Sequence, residues 1–155
     1  MIDRNGVSAV DGYAGSVEAL LISIYARHGQ IASIQNAPFV AFKELPDSGP
    51  YAGAFARHAQ QALAPHVALM AKRMDFLCAT LDSRAVNRPT AGDVAFTVRP
   101  LPKIALHYIC YHADDDFPAS VTSLYSRNAS AFMPTDALAD VGEYTAKAII
   151  DRLEK

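Results

Sequence analysis

From Val94 to Tyr111 the side chains alternate in two runs: Val94, Phe96 and Val98 against Ala95, Thr97 and Arg99, then Ile104, Leu106, Tyr108 and Cys110 against Ala105, His107, Ile109 and Tyr111. A period of two marks strands with one face turned to a core. The Pro100-Leu101-Pro102 junction between the runs is too short for the crossover that parallel neighbours require, so the pair is antiparallel. A third strand at about 120–126, with Val121, Ser123 and Tyr125 on one side, extends it to a meander over about 94–126.

Helical periodicity lies on both sides of this unit. Val17, Leu20, Leu21 and Ile24 share one helical face, and Arg27-His28-Gly29 places cations and then a glycine at its end, which predicts a helix over about 14–28. Pro50 suits the first turn of a second helix running to about Ala64, with Ser48 as its cap. Leu63, Val67, Met70, Met74, Leu77 and Leu81 recur at steps of four and three, predicting a helix over 65–81. Leu69 and Phe76 on its second side place it centrally in the core. Pro134 precedes a last helix capped by Thr135 or Asp136, whose Leu138, Val141, Thr145, Ile149 and Leu153 share a face.

The segment Pro38 to Leu45 is β-rich and reads as a strand, whereas Asp82 to Gly92 is full of turn formers and reads as a loop. Helices and strands grouped in this way predict an α+β fold, a small antiparallel meander, joined by strand 38–45, packed against about four helices. The 155 residues suffice for one domain over 1–155 with its own core.

Sixteen acids against fourteen bases leave a net charge of -2, which disfavours a nucleic acid partner. Lys72, Arg73, Arg84, Arg88, Arg99 and Lys103 outnumber Asp75, Asp82 and Asp93 locally, a scatter expected of a solvated surface. Asp3, Asp11 and Glu18 interrupt the apolar run a secretory signal needs, and no uncharged stretch is long enough to span a bilayer, so a cytoplasmic protein without membrane partners is expected. The two cysteines, Cys78 and Cys110, lie in separate apolar segments and read as buried reduced thiols.

One constellation carries chemistry. Tyr111-His112-Ala113-Asp114-Asp115-Asp116 gathers an imidazole and three carboxylates at the end of a strand, and Asp93 begins the neighbouring strand. Oxygen-rich clusters suit hard cations, and a histidine would admit manganese or zinc. Asp-rich turns also arise because the side chain satisfies local backbone donors, and that reading is the commoner one. The turn also reads as structural, with Phe117 anchored in the core and Pro118 fixing the exit. In that case Phe117→Ala costs about 3–5 kcal/mol and Asp115→Ala little. His58 and His66 are too far apart to chelate together, and His107 reads as a hydrogen-bonded core residue. No nucleophile elbow, phosphate loop or dinucleotide fingerprint is present.

Gly92-Asp93, Leu101-Pro102-Lys103, Asp115-Asp116-Phe117-Pro118 and the helix from Leu138 to Leu153 together resemble a prokaryotic family, domain of unknown function 3786, over about residues 92–154. The resemblance places Asp93, Asp115, Asp116, Phe117 and Pro118 in the family pattern without a role for any of them. Some relatives carry extra cysteines that suggest iron–sulfur ligation; with two cysteines, this chain does not inherit that role, and no cofactor is assigned.

Two functions follow as expectations. The first is a non-catalytic domain that binds a small molecule or a protein partner, a second copy of itself included, because seven tyrosines, seven phenylalanines and four methionines can line a pocket as well as fill a core. The alternative is a metal-assisted or carboxylate-dependent enzyme built on the Asp115/Asp116 turn with Asp93 and His112. The candidate binding residues are accordingly Asp93, His112, Asp115, Asp116 and Phe117.

Overall fold

The computed structural model describes residues 16–155 except Arg88, together with the backbone of two short paired strands, β1 (Ile2–Asp3) and β2 (Gly6–Val7). Arg88 and positions 14 and 15 of the expected first helix lie outside the described residues. The alternating runs form β5 (Val94–Leu101) and β6 (Ile104–Tyr111), followed by β7 (Ser120–Tyr125). With β3 (Val40–Ala41) and β4 (Ser83–Ala85) at the edges, they make a five-stranded antiparallel sheet in the order β3-β7-β6-β5-β4.

Register puts Phe96, Tyr108 and Ser123 abreast, with Val98, Leu106 and Tyr125 in the next row. This is the face buried under the helices; burying a side chain of this size contributes about 1.5–3 kcal/mol. Phe96 stacks on Tyr108 at 5.1 Å between ring centroids, and Tyr125 sends its hydroxyl to the Leu138 carbonyl at 2.5 Å.

The helical layer centres on α5 (Thr135–Leu153), whose predicted stripe from Leu138 to Leu153 is buried throughout. Gly142 sits beneath Phe55 and Tyr125, so close that an added Cβ would stand 2.8 Å from the Tyr125 hydroxyl and overlap the Phe55 ring. α1 (Val17–His28) begins at Ser16, whose hydroxyl accepts the Ala19 N–H at 3.2 Å, and ends at Gly29 as expected. At the start of α5 the cap position falls to Pro134. Thr135 instead donates to the Pro46 carbonyl at 2.6 Å, while Asp136 accepts the Ala137 N–H at 2.8 Å.

Several expectations need correction. Only Val40 and Ala41 of the 38–45 segment pair as a strand; Phe42–Glu44 turn into a 3₁₀ helix because the Glu44 carboxylate reaches back to the Ala41 N–H at 2.7 Å. The helix expected to run to Ala64 is composite: 3₁₀ over Gly49–Tyr51, α2 (Ala52–Phe55), a π-helical segment at Ala56–Gln60 and 3₁₀ again over Gln61–His66, where Pro65 falls. Ser48 does not cap it, donating instead to the Lys43 carbonyl.

The stripe over 65–81 is likewise two helices, α3 (Val67–Lys72) and α4 (Met74–Thr80), with a break at Arg73. Arg73 sends a guanidinium N–H to the Leu153 carbonyl at 2.7 Å, joining the break to the end of α5. Leu69 and Phe76 are both 37% exposed, so this pair of helices covers the core with one face and meets solvent with the other. The loop expected over Asp82 to Gly92 contains β4, paired to β5 from Ser83 to Ala85. β5 runs on past Pro100 to Leu101 with a register shift after Val98, and the turn falls at Pro102-Lys103.

Candidate functional site

At the acidic turn the backbone explains most of the sequence pattern. Gly92 has φ 77°, and a Cβ there would meet the Ile109 side chain at 2.7 Å and the Cys110 carbonyl at 2.9 Å. Only glycine fits so close to β6 in that left-handed conformation. Asp93 can then donate its N–H to the Cys110 carbonyl at 2.9 Å, while its carboxylate accepts the His112 N–H at 2.7 Å. The pair Gly92-Asp93 thus clamps the start of β5 to the end of β6.

Beyond β6, Asp114 closes the turn. Its Oδ1 accepts the N–H groups of Asp116 at 2.9 Å and Phe117 at 2.7 Å, and its own N–H donates to the Phe117 carbonyl at 2.9 Å. The expected pair Asp115 and Asp116 stands exposed, and Phe117 is 70% exposed, so it does not anchor the turn in the core. Asp93, Tyr111, His112, Asp114, Phe117 and Pro118 surround a shallow hollow of about 510 Å³. Among the described residues no three His, Cys, Asp or Glu side chains are placed to share a cation. The structure joins Asp93 to His112 through the backbone and leaves Asp115 and Asp116 outside the hollow.

The other histidines and the cysteines stand apart from this turn, except that Cys110 lies at the end of the strand leading into it. His58 pairs with Glu143 at 3.4 Å on the surface. His107 stacks on Phe39 at 4.8 Å and shares a hydrogen bond with Thr97 at 2.9 Å, and its half-buried position lowers its pKa. Cys110 is buried, which pushes its thiol up to about 12, whereas Cys78 is only partly buried; both are free.

A second, larger concavity was not anticipated. α1, α5, the segment after α4 and the irregular end of β5 enclose a groove of about 530 Å³. Pro100 has no N–H to continue the ladder, and the register with β6 shifts between Val98 and Leu101. The floor is apolar, with Leu21, Leu81, Val98, Leu101 and Val141; the rim carries Glu18, Asp82 and Asp151 against Arg99, Lys147 and Arg152. Among the described residues the ion pair of His58 and Glu143 is the only one within 4.0 Å, so these six charges do not neutralise one another directly.

Tyr144 stands on the same wall and donates its hydroxyl to the Glu18 carboxylate at 2.8 Å. The helix-start backbone N–H and then this hydroxyl lower the Glu18 pKa; burial and the adjacent carboxylate push Tyr144 up to about 12. Tyr144, Lys147, Ala148 and Asp151 follow a helical spacing on the side of α5 next to its core stripe. That mixed second face was the sequence signal for the groove, but its other walls come from distant segments.

No curated protein matches the chain, and no solved structure does. The pattern first seen around Gly92-Asp93 and the Asp115-Asp116-Phe117-Pro118 turn extends far upstream, since a family model matches residues 1–148, and the chain belongs to the family described as Domain of unknown function (DUF3786).

Proposed function

We propose that the chain is a non-catalytic binding protein that takes a small molecule into the groove between α1, α5 and β5, and that it works in the cytoplasm. One observation carries this reading: a concavity of about 530 Å³ with an apolar floor and, at its rim, charges of both signs that form no ion pair with one another. Volumes of this order are typical of small-molecule sites, where apolar walls supply affinity and a few polar groups fix orientation. Two unpaired cysteines accord with a reducing compartment.

Native mass spectrometry of gently purified protein tests the reading. A retained organic mass, lost in an Ala148→Trp variant that fills the groove while melting like the parent, is the expected result. Equal retention by the variant would move the site elsewhere. A partner-protein reading has one observation in its favour, the exposure of Val17 at 55% and Leu20 at 58% on α1. The same spectrum reports it as a dimer mass.

A further inference from the structure

The rim of the groove is balanced, with three carboxylates facing three cations. A ligand with a single charge would bring it beside as many like charges as opposite ones. A neutral apolar ligand would draw charges of both signs out of water with nothing to replace their hydration, which is costly. A molecule carrying both signs meets neither difficulty.

Groups of both signs line the same groove. Glu18 takes the Tyr144 hydroxyl on Oε1, and a carboxylate with about four lone-pair sites retains acceptor capacity for an ammonium. Lys147 lies three residues along α5 from Tyr144, and Arg99 and Pro100 approach from the irregular end of β5. From Val141 to Arg152 the α5 wall is about 16 Å long at a helical rise of about 1.5 Å per residue. An extended dipeptide of about 7 Å fits within that length and can lay two side chains over Leu21, Val98 and Leu101.

Resting on the groove reading above, we infer that the ligand is a small zwitterion with an apolar body, for which leucyl-leucine is the simplest probe. The ammonium goes to Glu18, the carboxylate to the cations Lys147 and Arg99, and the apolar body to the floor.

The test is a titration of the full chain, followed by amide NMR, with leucyl-leucine and with its N-acetylated, C-amidated and doubly blocked forms. The expected result is movement of the Leu21, Val98 and Ala148 resonances, with the zwitterion binding at least tenfold more tightly than any blocked form. Glu18→Gln and Lys147→Met, both changes at the groove rim, should each remove most of that advantage. Blocked forms binding within threefold of the zwitterion would overturn the charge assignment and leave the groove as the site. Absence of any shift in the groove amides would also overturn it, and the retained-mass comparison with Ala148→Trp then reports separately on whether the groove binds at all.

Discussion

The hydroxyl of Tyr144 lies 2.8 Å from the carboxylate of Glu18 and donates to it, fastening the middle of α5 to the first turn of α1 at the edge of the groove. Glu18 is held below the ordinary glutamate range, so its contribution to stability is present above that range and is lost as pH falls through its folded pKa. Tyr144 is shifted the other way, to about 12, so its contribution holds below an ordinary tyrosine pKa of about 10 and fades as pH rises through the folded value. Tyr144→Phe should raise the Glu18 pKa toward its ordinary value in a carbon-13 carboxyl titration. An unchanged titration would mean the contact is not kept in solution.

Gly142 gives a stability prediction whose sign depends on packing. Alanine normally improves a helix interior by about 1 kcal/mol over glycine. Here its Cβ would press on the Phe55 ring and the Tyr125 hydroxyl, both buried and neither free to yield. Gly142→Ala should therefore cost about 1–3 kcal/mol in urea unfolding, the usual range for an overfilled core.

The acidic turn separates three roles. Phe117→Ala should change stability by less than about 0.5 kcal/mol, as surface substitutions do, because the ring is 70% exposed. Asp114→Ala should cost about 0.5–2 kcal/mol, the range for losing a side-chain cap, since one oxygen serves two N–H groups. Asp115→Ala should be silent. Chemical denaturation of the three variants side by side checks the order.

His107 makes the fold acid-sensitive. Burial against Phe39 lowers its pKa, so protonation favours the unfolded chain, and stability present above an ordinary histidine pKa of about 6.5 is lost as pH falls toward the folded value. The melting temperature should fall between pH 7 and pH 5, and His107→Gln should reduce that fall.

The parts of the fold legible in the sequence are those held by repeated apolar contacts. The stripe from Leu138 to Leu153 and the alternation in β5, β6 and β7 were readable because each residue repeats the same preference for one face. β4 was not: Ser83 and Arg84 have no apolar signal, and the strand is held by backbone pairing at an exposed edge. Phe42 looks like a strand residue, yet the reach of Glu44 to Ala41 turns the chain there, and a side-chain hydrogen bond of that kind leaves no periodicity. Of the site residues, the proximity of Asp93 to the His112 strand end was legible from the hairpin. The groove was not, because Glu18, Val98 and Lys147 come together only through tertiary packing.

The widened π segment at Ala56–Gln60 bears on which changes of length the chain can absorb. Gln60 reaches the Ser123 carbonyl and hydroxyl from its end, and Leu63 and Val67 follow it into the core. A π turn holds one residue more than an α turn over nearly the same arc, so removing one residue there would restore a regular α turn and leave the residues beyond it facing as they do now. Leu63 and Val67 would stay turned to the core, and the contact of Gln60 with Ser123, made at the widened turn itself, is what the deletion would put at stake. Relatives can therefore differ in length by one residue at this turn without moving the apolar stripe beyond it, whereas the Asp114 to Phe117 corner, closed by a single carboxylate oxygen on two N–H groups, fixes its own length.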